Sequence, residues 1–328
     1  MKDFIKTKKF ALILSHQGPD GDSIGSSVSL SLYLNKIGVK NCIIFPDLYP
    51  NFYSPINGIE NAIIASDNYL EVETLFKKSD LIFCLDFNHR SRLGSDLKLI
   101  FTKTSDKYVF VIDHHTNPEN FGDFEIIDTD ASSTCELVFN FIESNNDLDL
   151  IDIPIAEAIY TGIVTDTGSF KYSSVSSNTH LIASKLKDIG LDHTEIHNNI
   201  FDQNSISKIN LLGYALQKIK VDQDSSLAYL ALSSEELMKF NYKKGDSEGF
   251  VNFCLSIKNI NNAVFLREDK GLIKISFRSK GAVKVNEFSN KFYGGGGHEN
   301  AAGAAVESTD LDSVTLKLIE NFRSFCLD

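Results

Sequence analysis

Residues 10–27 read FALILSHQGPDGDSIGSS. The apolar run Phe10–Leu14 gives way at once to His16, and then to Asp20 and Asp22 on either side of Gly21. After these, Ile24, Val28 and Leu32 recur every four residues, and Gly38 supplies a stop. An unbroken apolar run signals a strand buried on both faces, as in a parallel sheet. The fourfold spacing signals a helix with one apolar stripe, and a glycine suits its C-terminal end. A strand, a polar loop and a helix make the opening half of a doubly wound α/β unit. The loop itself has two readings: aspartates that cap the helix, or aspartates and an imidazole that hold a cation.

The same texture recurs in "CIIFP", "AIIA", "LIFCLD" and "YVFVID", which predicts an N-terminal, doubly wound, mainly parallel sheet. A further helix begins near Pro154, where a missing N–H costs little, and carries Ile155, Ile159 and Ile163 on one face. Ligands of open α/β sheets bind beyond the carboxyl ends of the strands, so the residues there matter most. Asp86 closes "LIFCLD". Asp113, His114 and His115 close "YVFVID", and Asp166 ends the helix "AEAIYTGIVTD". A single aspartate after a strand is an ordinary cap, but five carboxylates and three histidines at one sheet edge need a compensating cation. Oxygen and imidazole donors favour Mn²⁺, with Mg²⁺ or Co²⁺ as alternatives, over a thiolate zinc site. The donors outnumber the needs of one ion, so the pattern predicts two divalent metals bridged by a central aspartate, a recurring phosphoryl-transfer device.

A length of 328 residues suits two domains. We place a catalytic domain at 1–190, a helical linker at 191–222 and a smaller C-terminal α/β domain at 223–328. In the last of these, "SSLAYLALS" reads as a strand and "NAVFLREDKGLIKISFR" as a hairpin turning at Glu268–Gly271. The net charge of −12 argues against gripping long nucleic acid through its phosphates, while leaving room for a short charged substrate held by metals and a few arginines. The five cysteines, Cys42, Cys84, Cys135, Cys254 and Cys326, show no CxxC spacing and form neither a disulfide framework nor a zinc site. The first residues lack the apolar stretch of a signal peptide, and no run nears the roughly 20 apolar residues of a membrane span. The expectation is a cytoplasmic protein.

The motifs "HQGPDGD", "LDFNHRSRLG", "IDHHTNPENFGD", "GIVTDTGSF" and "GGGGHENAAG" together resemble the DHH phosphoesterases that carry a DHHA1 domain, in particular the bacterial nano-RNase/pAp-phosphatase group. The resemblance runs almost end to end and departs at Gln17-Gly18, which are not expected ligands. It implies that His16 and Asp20 bind one metal, that Asp22, His114 and Asp166 bind the other, and that Asp86 bridges both. It also implies that His115 faces the scissile phosphate as a general acid or charge stabiliser, and that Asp113 orients a histidine. Spacing alone does not separate His114 from His115 as the ligand. A homodimer is implied by resemblance only, as is a cleft between the domains that limits substrate length.

In the C-terminal region, Gly294 to Gly297 read either as a flexible loop or, followed by His298, as backbone that closely approaches an anion. The window 267–291 carries seven Lys/Arg against three Asp/Glu, either as a solvated strand face or as a substrate grip. The functional reading assigns Arg278, Ser279, Gly295, Gly296, Gly297 and His298 to the substrate, with His89 touching it from the first domain. Arg92 reads equally as a phosphate contact or a surface cation, and Phe170 and Tyr172 as base-stacking or core rings. The expected activity is hydrolysis of short oligoribonucleotides to mononucleotides, together with removal of the 3′-phosphate of 3′-phosphoadenosine 5′-phosphate (pAp). The main alternative is a cyclic di-AMP or pApA phosphodiesterase. An inorganic pyrophosphatase, whose closing lysine-arginine motif is absent here, and an inactive nucleotide sensor rank lower.

Overall fold

The computed structural model describes residues 1–103 and 106–327, and the side chains of all of these except His298 and Leu327. The chain divides into two compact units, Met1–Gln203 and Asn204–Asp328. The division falls inside the 191–222 segment expected as a linker, with helices His193–Phe201 and Ile206–Gln217 on opposite sides of it. No described helix is long and apolar enough to cross a membrane.

The first unit is built on β1 (Phe10–Leu14), β2 (Lys40–Phe45), β3 (Ile63–Ile64), β4 (Leu81–Leu85), β5 (Tyr108–Asp113) and β6 (Phe124–Ile127). All pair in parallel, in the order β3-β2-β1-β4-β5-β6. Alternate residues of each strand enter opposite cores. Ala11, Ile13, Phe83 and Leu85 join one, while Leu12, Leu14, Ile82 and Cys84 join the other. That two-sided burial is why the sequence runs apolar without alternation. Strand order reverses between β1 and β4, the switch point where such sheets bind ligands. His16 and Asp86 follow these two neighbouring strands.

Three helices on one face position the site: α1 (Gly21–Lys36), α2 (Thr134–Ser144) and α3 (Ile153–Asp166). Asp20 caps α1 in a capping box with Ser23, and Asp152 caps α3, with Pro154 in its first turn. Ile24 and Val28 are fully buried, Leu32 only partly. α1 is enclosed on nearly all sides, so small polar residues replace a simple stripe. Ser26 and Ser27 return their hydroxyls to the Ser23 carbonyl, at 3.2 and 2.7 Å, within the helix. The α1–α3 contact is close enough that a Cβ on Gly25 would lie 2.4 Å from the Ala158 carbonyl oxygen.

The second unit holds β7 (Lys220–Asp222), β8 (Leu227–Leu232), β9 (Asn262–Asp269), β10 (Leu272–Ser279), β11 (Gly296–His298) and β12 (Ala301–Glu307), in the order β11-β12-β10-β9-β8-β7. The β9–β10 hairpin turns on Lys270 and Gly271 alone, both with positive φ. This is the two-residue turn whose twist matches paired strands, tighter than the Glu268–Gly271 expectation. Helices α4 (Val285–Tyr293) and α5 (Leu311–Leu327) supply Val285, Phe288, Leu318 and Phe322 to its core.

Candidate metal centre

His16 lies just past the end of β1, buried, with Nδ1 2.9 Å from the Gln17 carbonyl oxygen. That bond places the Nδ1 proton and leaves a lone pair on Nε2. Nε2 is fully buried and has no hydrogen-bond partner among the described residues, 3.4 Å from Asp86 Oδ2 and 3.6 Å from Asp20 Oδ2. These separations exceed hydrogen-bond length. They match the roughly 3–3.5 Å between ligand atoms that each sit about 2.1 Å from one ion. The other Asp86 oxygen, Oδ1, lies 3.6 Å from His114 Nε2, which is also 3.5 Å from Asp166 Oδ2 and 3.8 Å from Asp22 Oδ2. Asp86 Oδ2 thus faces His16, while Oδ1 faces His114 and lies 3.7 Å from His115 Nδ1. His16, Asp20 and Asp86 offer donor atoms within 4.8 Å of one another, and so do Asp22, His114 and Asp166.

Backbone geometry and amides aim Asp86, Asp20 and Asp22. Asp86 adopts a left-handed conformation, φ 66°, at the tip of β4, with its N–H on the Ile112 carbonyl. Aspartate tolerates this region better than most residues, and such strain concentrates at functional sites. Asp20 accepts the Ser23 N–H on Oδ1 at 3.1 Å while Oδ2 faces His16. Asp22 is held at the N-terminus of α2, where Thr134 N–H reaches Oδ2 at 2.6 Å and Cys135 N–H reaches Oδ1 at 2.9 Å. The Thr134 hydroxyl donates to Asp86 Oδ1 at 3.0 Å. The reading from sequence missed Thr134 and Cys135. Their only local signal, Ser133 and Glu136 around the helix start, marks a cap.

The cluster is short of positive charge. Burial pushes Asp22 well above the usual carboxylate range, and the Asp86 and Asp166 charges add to it. Asp166 is raised to about 7, by burial first and then by Asp86 and Asp20, against the pull of His114. Burial opposes a charge on His16, yet Asp20 and Asp86 lift its pKa to about 10. Burial also opposes ionisation of Asp86, but His16, His115 and His114 hold it well below the ordinary range. Without a cation, protons must supply what the carboxylates lack. An orphaned imidazole nitrogen and an oxygen-rich donor set therefore fit hard divalent ions.

His115 differs from His114. Its Nδ1 lies 2.8 Å from Asp113 Oδ1, a buried carboxylate whose other oxygen has no hydrogen-bond partner among the described residues. Burial works against charging His115, but the Asp113 hydrogen bond and the Asp86 charge outweigh it, and its pKa is raised. His89 is about half exposed, 3.9 Å from Glu119. Phe170 packs on the core and stacks with His180, while Tyr172 is 48% exposed.

In the second unit, Arg278 is half-buried, with Nη1 donating to the Phe277 carbonyl at 2.9 Å. Ser279 is buried. Its hydroxyl donates to the Val283 carbonyl at 2.7 Å and accepts from the Asn300 amide at 2.9 Å, so it ties the strand end to a loop. Gly294 is the left-handed cap of α4. A Cβ on Gly295 would lie 2.2 Å from the Gly303 carbonyl oxygen, and one on Gly297 2.4 Å from that of Ala301, whereas Gly296 faces open space. The His298 backbone pairs with Ala301, and its side chain lies outside the described residues.

Residues 11–163 match the model of the DHH family, N-terminal domain, and residues 224–324 match that of the DHHA1 domain. The chain belongs to the DHH family. Among relatives, the Bacillus subtilis "Bifunctional oligoribonuclease and PAP phosphatase NrnA" is 27% identical over 298 residues, covering 90% of this chain and 88% of that protein. Its Thermus thermophilus counterpart of the same name is 26% identical over 316 residues, covering 95% and 88%. The crystal structure of an exopolyphosphatase-related protein from Bacteroides fragilis superposes with a TM-score of 0.95 at 36% identity, covering 99% of this chain and 96% of that one. The DHH match spans the segment bearing His16, Asp20, Asp22, Asp86, Asp113, His114 and His115, and stops three residues before Asp166.

Proposed function

We propose that this DHH protein is a two-metal phosphoesterase that hydrolyses short oligoribonucleotides to mononucleotides and converts pAp to AMP. The observation that carries the reading is Asp86, whose two oxygens face His16 on one side and His114 on the other. Each side is completed by further carboxylates, Asp20 on the first and Asp22 with Asp166 on the second. His16, Asp20 and Asp86 would hold one ion, and Asp22, His114, Asp166 and Asp86 the other. When bound, such a pair supplies Lewis acidity toward the phosphoryl oxygens and activates water. Asp113 fixes the tautomer and aim of His115, so that Nε2 passes a proton to the leaving oxygen. The α2 N-terminus holds Asp22 in one orientation with two amide donors. In the second unit, Arg278, the open Gly296 backbone and His298 are assigned to the substrate's remote end, while Gly295, Gly297 and Ser279 shape that surface. Oligonucleotide and pAp chemistry rests on the relatives named for it. Mn²⁺ as the working metal rests on the oxygen and imidazole donor set, a cytoplasmic location on the sequence expectation above, and a homodimeric state on the family resemblance.

The test is kcat/KM with Mn²⁺, side by side, on RNA 2- to 5-mers, pAp, pApA, cyclic di-AMP and pyrophosphate. Di- and trinucleotides and pAp should lead. A strong preference for the cyclic dinucleotide or for pyrophosphate, or no turnover with Mn²⁺, Mg²⁺ or Co²⁺, would refute the assignment.

A further inference from the structure

The segment "NHRSRLG" follows Asp86 and forms the short 3₁₀ turn Arg90–Leu93. It is pinned on both sides to the loops that bear the site's histidines. Toward the loop after β1, the Gln17 N–H donates to the Arg92 carbonyl at 2.7 Å. Toward the loop after β5, Glu119 N–H donates to the Asn88 carbonyl at 2.8 Å, and the Asn88 side chain donates to the Thr116 carbonyl at 2.7 Å. The turn is therefore a rigid bridge between the residue after His16 and the strand exit carrying His114 and His115.

Its two arginines are used differently. Arg90 is committed to Glu119, with Nε at 3.0 Å and Nη2 at 2.6 Å from the same carboxylate oxygen, and the Arg90 N–H on the other. Arg92 is half-buried, and among the described residues it forms no ion pair and its guanidinium has no hydrogen bond. This is unexpected in a protein of net charge −12 beside a cluster of carboxylates. Those carboxylates face His16, His114 or His115 or are tied to amides, and among the described residues none forms an ion pair with Arg92. A guanidinium presents a planar fork of donors that matches phosphate oxygens.

We propose that Arg92 is a catalytic residue whose guanidinium holds non-bridging oxygens of the phosphate under attack, on the side of the site where His115 stands. This rests on the phosphoesterase reading above and adds a residue to it. Arg90 and Glu119 brace the turn, and Arg92 meets the substrate.

Full-length Arg92→Ala and Arg92→Lys should be compared with wild type, loaded with Mn²⁺, on pAp, pApA and unphosphorylated ApA. Arg92→Ala should lose roughly 10²–10³-fold in kcat/KM on all three, with bound manganese and thermal midpoint unchanged. Arg92→Lys should recover only part of the loss, since a point charge cannot replace the fork. Arg92→Ala activity within about threefold of wild type, loss confined to pAp and pApA, or loss of bound manganese would each overturn the assignment. If wild type proves inactive on every substrate, the phosphoesterase reading fails separately. Calorimetric binding of inorganic phosphate then decides for Arg92: phosphate binding abolished in Arg92→Ala upholds it, and binding unchanged sinks it.

Discussion

Gly162→Ala tests whether the α1–α3 contact sets the position of Asp22. A Cβ at residue 162 would fall 2.1 Å from Cys135 Sγ, 2.9 Å from Cys135 Cβ and 2.7 Å from Asp22 Oδ1. Carbon contacts are comfortable at about 3.5–4.0 Å. Rotating the Cys135 thiol removes the first clash only, because its Cβ and the Asp22 carboxylate remain. The helices must part by at least about half an ångström, an overpacking cost of about 1–3 kcal/mol. In a unit of this size that is a fall in thermal midpoint of roughly 3–10 °C. The movement separates Asp22 from the Thr134 and Cys135 N–H groups, so Mn²⁺ affinity should drop about 10–100-fold, as for loss of an outer-shell partner. Gly25→Ala is the control: its Cβ meets the Ala158 carbonyl oxygen at 2.4 Å, in the same interface, without an Asp22 contact among its nearest atoms. Calorimetric Mn²⁺ titration beside thermal melts should show both variants destabilised, with affinity lost mainly in Gly162→Ala. A destabilised Gly162→Ala that binds Mn²⁺ like wild type would refute the argument that this glycine exists to seat Asp22.

Asp86→Asn preserves a residue type that tolerates φ 66° while removing the charge. It should abolish turnover with an unchanged circular-dichroism spectrum, and an active variant would refute the bridging role. Thr134→Val should weaken Mn²⁺ binding about 10–100-fold while Thr134→Ser retains it, because only the hydroxyl to Asp86 differs; equal affinities in a titration would count against it. Asp222 is held down to about 2 by its Arg323 hydrogen bonds, and Glu236 to about 2 despite burial, by Lys218 and Tyr214. Folded values below the unfolded ones give stability that is complete above pH about 5 and lost as pH falls toward 2. Urea melts from pH 7 to pH 2.5 should show this, with a flatter profile for Asp222→Asn. Gly296→Ala should leave the melt unchanged and raise KM if substrate backbone passes there, whereas Gly297→Ala, with φ 142° and a Cβ 2.4 Å from a carbonyl, should lower the melting midpoint.

What was legible in the sequence was what one-dimensional order preserves. Strands buried on both faces read as apolar runs, and their polar exits read as His16, Asp86 and Asp113-His114-His115, because a parallel sheet brings every such exit to one edge. β6 escaped notice because it is a four-residue, half-buried strand with Glu125 in it. An edge strand can be short and charged. Thr134 and Gly162 were invisible for another reason: their importance lies in contacts with Asp22, more than 110 residues away. No local pattern encodes that distance. The four consecutive glycines show the limit most sharply. They read as one motif, yet the fold uses them three ways: Gly294 as a left-handed cap, Gly295 and Gly297 where strands approach too closely for a Cβ, and Gly296 as open backbone. Asp20 shows the opposite case. Cap and cation ligand looked like competing explanations of the loop's two aspartates, with Asp22 the expected cap; the cap is Asp20, and its carboxylate has two oxygens. Oδ1 takes the Ser23 amide while Oδ2 turns to His16. The cap that fixes the helix start also fixes the direction of the remaining oxygen, so the structural role is what makes the chemical one available.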